Sequence, residues 1–112
     1  MSYGMDFKEF NKRIDLLSLA KAQVKKIAKD LKSKEVKANS STALDTTFYI
    51  VLERGNYSMS NKEIEIEIQF DRRIIISLNN LGDYKPLYMK PTQTSVLRIA
   101  IETKKLLKGA KK

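Results

Sequence analysis

Three groups of residues in this 112-residue chain have types and spacings that could do chemistry. The first is Glu63, Glu65 and Glu67, a carboxylate at every second position. On an extended strand they share one face at intervals of about 7 Å. Such a row could hold a divalent cation for phosphoryl chemistry. Side chains two apart on one strand project in parallel, however, and do not converge on an ion. The row therefore reads as a solvated strand face. The second group is Lys21, Lys25, Lys29 and Lys32, at helical spacing, with Lys26 and Lys34 nearby. A stripe like this neutralises phosphates by counterion release, or is simply the solvated face of a helix. The third is Arg72 and Arg73 with Tyr84, Lys85, Tyr88 and Lys90. Cations and rings together suit a single nucleic-acid strand: the charge follows the backbone and the rings stack on bases. The plainer reading is a pair of half-buried tyrosines on an edge strand.

Other chemistry is excluded by composition. The chain has no His and no Cys. The commonest general base is missing, as are thiol nucleophiles, disulfides and Cys-ligated zinc. The four glycines fit no phosphate-binding loop. No enzyme activity, metal, cofactor or small-molecule substrate is expected. What remains is charge, and the net +9 is segregated. Residues 1–41 carry +5, residues 42–84 carry −3 and residues 85–112 carry +7. A basic small domain usually has an anionic partner, and nucleic acid is the commonest.

The elements that must position these groups are legible in outline. The length fits one domain spanning 1–112, with 109–112 as a basic tail. Phe7, Phe10, Ile14, Leu17, Val24, Ala28 and Leu31 recur at spacings of three, four and seven, which predicts a helix over 6–34. Asp6 is its N-cap candidate, and a break near Asp15–Ser18 is an alternative to one long helix. Residues 35–46 are polar and small and read as a loop. Strands are predicted at Thr47–Arg54, Glu63–Phe70 and Arg73–Leu78, with a short fourth at Pro86–Lys90. Thr92 or Thr94 caps a last helix to about Lys108, with Gly109 just beyond it. The expected class is α+β: an antiparallel sheet of three to four strands flanked by a long N-terminal helix and a C-terminal helix, in the order α-β-β-β-β-α.

Alternation assigns Ile64, Ile66, Ile68 and Phe70 to the core, with Phe48, Ile50, Leu52, Ile74, Ile76 and Leu78. The opposite face carries Tyr49, Val51, the glutamates, Arg73 and Ile75, so it is mixed, and Arg73 is placed to pair with a glutamate. The C-terminal helix is apolar over much of its girth, which predicts cover by the first helix or a homodimer contact. No apolar run approaches the ~20 residues of a membrane span, and the first nine residues lack signal-peptide order. A cytoplasmic location with no membrane partner is expected.

Leu87-Tyr88-Met89, Lys90 and then Pro91-Thr92-Gln93 run from the last strand into the C-terminal helix, where Leu97 is apolar. On this passage, residues 63–107 resemble the single-stranded-DNA-binding domain of the positive cofactor four transcriptional coactivator family. Ile66–Ile76 looks like its alternating strand, basic turn and second apolar strand. The resemblance implies a dimer formed through the helix and single-stranded DNA tracking across the sheets. It makes Arg72 and Arg73 the basic turn and Tyr84 an aromatic contact. The sequence departs from the family at Thr94, where an aromatic is usual, in the acidic row on the face DNA should use, and in its long N-terminal helix.

The leading expectation is thus a basic, non-catalytic nucleic-acid-binding protein, favouring DNA and single strands. Alternatives are a protein-interaction factor docking an acidic protein, and a dimer reading duplex DNA through its first helix. The Lys-, Ile- and Asn-rich composition suits an AT-rich phage or mobile element.

Overall fold

The periodic stretch forms one unbroken helix, α1 (Phe7–Asp30), in the computed structural model, which describes residues 7–40, 45–82 and 85–110. The break considered near Asp15–Ser18 does not occur, and the Asp6 cap lies outside the described residues. Leu16, Ala20, Val24 and Ile27 form the buried stripe. Lys32 ends the helix in the left-handed region, at φ 51°. Its N–H donates to the Lys29 carbonyl, and the Ser33 N–H donates to the Ala28 carbonyl at 2.9 Å. This paired closure usually has Gly at the left-handed position. Lys32 therefore sits in the capping turn, off the stripe of Lys21, Lys25 and Lys29.

The polar segment expected as a loop is instead an edge strand, β1 (Glu35–Ser40). Its backbone pairs with β2 (Thr46–Glu53), from Glu35 opposite Val51 to Ser40 opposite Thr46. Backbone pairing demands no apolar content from an edge strand, and of the three β1 residues on the helix side, Val36, Ala38 and Ser40, only two are apolar. The sheet continues through β3 (Lys62–Gln69), β4 (Arg73–Asn79) and β5 (Leu87–Met89). All five strands are antiparallel neighbours in chain order. A register shift between Val51 and Glu53 interrupts the β2–β3 ladder just before its last pair, Glu53 with Lys62.

The C-terminal segment is not one helix. Thr92 caps a short α2 (Gln93–Val96), its Oγ1 accepting from the Ser95 N–H at 3.2 Å. After Leu97 and Arg98 the chain enters α3 (Ile99–Ala110), which contains Gly109 instead of stopping before it. Gln23 Oε1 of α1 accepts the Ala100 N–H at 2.9 Å, satisfying a first-turn donor of α3. Two turns further along α1 and one turn further along α3, Asp30 pairs with Lys104, so the two helices run side by side in one direction. That contact holds the Asp30 carboxyl below its usual range, chiefly through the Lys104 hydrogen bond.

Both helices cover the same face of the sheet. Ile64, Ile66, Ile68, Ile74, Ile76 and Leu78 meet Val24, Ile27, Val96 and Ile99 in one core. Each fully buried aliphatic side chain contributes about 1.5–3 kcal/mol. Gly82 closes the β4–β5 side against α3: it has φ +106°, and a Cβ there would stand 2.7 Å from the Ala110 carbonyl oxygen. Of the two explanations for the apolar C-terminal helix, α1 covers part of it, while Leu97 and Ile101 stay exposed. In the first turns of α1, Phe7 is largely exposed and Phe10 and Ile14 partly so. Arg13 anchors this part by pairing with Glu9 at 3.2 Å and with Asp71 in the β3–β4 turn.

Candidate functional site

The sequence-predicted contact residues separate into two groups at opposite edges of the sheet. Four strand spacings, about 19 Å, lie between β1 and β5. At the β5 edge, Arg72 is exposed in the β3–β4 turn, and Arg73 opens β4. Tyr88 is the middle residue of β5, paired with Ile75. The Arg73 guanidinium lies over the Tyr88 ring, 4.8 Å from its centre. The cross-strand pair expected between Arg73 and a glutamate is thus replaced by a cation–π contact, worth about 0.5–1 kcal/mol at an exposed site. Tyr88 is still 55% exposed. Lys85 and Lys90 flank β5 and are exposed as well. Tyr84 lies outside the described residues. Arg72, Arg73, Lys85 and Lys90 take part in no ion pair among the described residues.

At the other edge, Lys21, Lys25 and Lys29 stand exposed on α1. Their expected helical partners are engaged elsewhere: Asp30 with Lys104, and Glu35 with Arg54 at 3.3 Å. Lys21 and Lys25 stand on the rim of a groove of about 200 Å³ lined by Val24, Val36, Ala38 and Phe48, while the side chain of Lys37 faces the other side of the sheet with Tyr49 and Glu63. The groove exists because β1 is only partly covered by α1. It had no signal in the sequence, where β1 itself was not visible.

The sheet face away from the helices is open along its middle and acidic. Glu65 accepts from Asn79 Nδ2 at 3.2 Å, and Glu67 accepts from Gln69 Nε2. Glu63 differs from the solvated residue its spacing suggested. It is 9% exposed and makes no hydrogen bond or ion pair. The cause is the segment after β2, whose 3₁₀ turn at Ser58–Ser60 folds back over this end of the face. Asn61 accepts from the Gly55 N–H at 2.9 Å, and Asn80 Nδ2 donates to the carbonyls of Met59 and Asn61 at 3.0 and 2.8 Å. These bonds pin the turn across Val51 and Glu63.

Burial pushes the Glu63 carboxyl above its ordinary range; Lys37 opposes this, and Glu65 and Glu35 add to it. Burial also raises the Tyr49 hydroxyl, with Glu65, Glu63 and Glu67 reinforcing. The unfolded chain holds Glu63 at an ordinary value, so the native state binds its proton more tightly. Stability from this group is greatest below the unfolded value and is lost as pH rises through the native one. Glu63→Gln is therefore expected to raise unfolding free energy at pH 7, by an amount on the order of 1 kcal/mol. The gain should vanish near pH 3, which urea melts at both values would check.

Among the described residues no cluster of three carboxylates could share a metal ion, and no helix is long and apolar enough to cross a membrane. Comparison with protein-family models, curated proteins and solved structures found no match to this chain.

Proposed function

We propose that this protein binds nucleic acid without catalysis, and takes single-stranded DNA in preference to duplex. The observation that carries the reading is the Arg73–Tyr88 stack at the β5 edge, with Arg72, Lys85 and Lys90 unpaired around it. A ring braced by a guanidinium, beside free cations, offers a base a stacking surface and phosphates their counter-charge. The acidic row on β3 opposes a strand lying flat across the sheet. The proposed path therefore follows β5 and the β3–β4 turn. This departs from the route implied by the coactivator-family resemblance, while the exposed Leu97 and Ile101 support the homodimer it implies.

The test is anisotropy titration with matched single- and double-stranded DNA and RNA at two salt concentrations. Four neutralised phosphates on a single strand give a slope of about −2.8, or roughly a 50-fold loss between 50 and 200 mM salt. Arg72→Ala with Arg73→Ala should flatten that slope by about 1.4. Absence of binding to every oligonucleotide at low salt rejects the reading. The basic-rimmed apolar groove between α1 and β1 favours a second reading, an acidic protein partner. A pull-down that survives nuclease treatment would select it.

A further inference from the structure

The face opposite the helices holds a feature that nucleic-acid binding does not use: a cavity of about 460 Å³ beneath the 55–61 turn. Each of the first four strands gives it one wall residue, Lys37, Tyr49, Glu63 and Asn79, and the turn adds Ser58 and Met59. Glu63 lines the cavity while nine-tenths buried and without a hydrogen-bond or ion-pair partner. A carboxylate so largely withdrawn from water, with no cation paired to it, is partly desolvated at a cost. In a chain of net charge +9, no cation pairs with Glu63, Glu65 or Glu67 among the described residues. The one cation at the cavity, Lys37, is already 3.9 Å from Glu35.

We propose that this cavity and the carboxylate row leading from it bind a linear polyamine, with one ammonium group on Glu63 and the next on Glu65. The chemistry selects this class over others. A metal ion needs ligands that converge, and these project in parallel about 7 Å apart. An anion is repelled by the row. Ammonium groups four methylenes apart are separated by roughly 6 Å in an extended chain, from standard bond lengths, which suits the step from Glu63 to Glu65. The Tyr49 ring supplies a face for a cation, and Met59 supplies apolar contact for the methylenes. The burial that raises Glu63 then becomes useful, because a cation restores its ionised form. This site is separate from the β5 edge and stands or falls independently of the nucleic-acid reading.

Calorimetric titration of the full chain with spermidine at low salt tests the proposal. One saturable site is expected, weakened about tenfold or more by Glu63→Gln, which removes charge at nearly constant shape. Lys37→Gln is expected to tighten binding several-fold by removing the competing cation. Butylamine, with one charge, should bind more weakly than putrescine, with two. No saturable binding of spermidine overturns the proposal. So does equal affinity in Glu63→Gln, provided the variant keeps the wild-type circular dichroism spectrum and a cooperative unfolding transition no lower than the wild type's. A tetralysine peptide is the second source of the same chemistry. If it displaces spermidine at lower concentration than spermidine itself requires, the site takes lysine side chains and the free-amine assignment fails.

Discussion

Ile76→Ala is expected to lower the free energy of unfolding by about 2–5 kcal/mol, and Ile75→Ala by less than about 1.5 kcal/mol. The two are neighbours in one strand with the same side chain, and differ in the face they occupy. Ile76 is fully buried, paired with Ile66 on one side and Leu87 on the other, beneath the helical layer. Removing its outer carbons leaves a cavity that two packed layers cannot close. Ile75 points to the open face between Glu67 and Tyr88, where water fills the space left behind. A small domain is stable by only about 5–15 kcal/mol, so the first substitution removes a large share of the total. Paired urea melts measure both. The reverse order would mean that the helices cover the other face.

Reversing Lys21, Lys25 and Lys29 to glutamate, away from the proposed β5 path, lowers the net charge by six and is expected to weaken oligonucleotide binding about tenfold at low salt through lost long-range attraction, with little change in the unfolding midpoint. All three are exposed on α1 and take part in no ion pair, so the fold has little to lose. Anisotropy titration of the variant beside Arg72→Ala with Arg73→Ala separates the two basic edges. The arginine pair removes stacking as well as charge, and should weaken single strands more than duplex. The lysine reversal changes charge alone, and should act on both. An unchanged affinity in the lysine variant would leave the α1–β1 groove to an acidic protein partner.

Much of this architecture was legible because periodicity reports burial. The apolar spacing of α1 and the alternation of Glu63 to Phe70 each follow from one face meeting a core. Where fewer than one side chain in two meets a core, the signal fades. The segment Glu35–Ser40 is polar at four of six positions because it is an edge strand with one face open and the other only partly covered, so its sequence has the pattern of a loop. The interruption at Leu97–Arg98 has no Pro or Gly to announce it; the geometry of docking α3 beside α1 sets it. Of the site, residue types were legible and grouping was not. Arg73 and Tyr88 meet only because β4 and β5 pair in one register. Glu63 looks identical to Glu65 and Glu67 in sequence, and a turn held by Asn61 and Asn80 makes it different.

The order of the strands carries a consequence for synthesis. Each strand pairs with the one just made, so the sheet can zip up as it leaves the ribosome. Its greasy side, however, needs both helices, and the bond from Gln23 to Ala100 spans 77 positions. Until α3 emerges, a nearly complete sheet with a row of isoleucines has only half its roof. In that interval the nascent chain is most exposed to chaperones and to sticking to its own copies. A chain truncated just before Ile99 should therefore expose that face and partition to the insoluble fraction, where the full chain stays in solution.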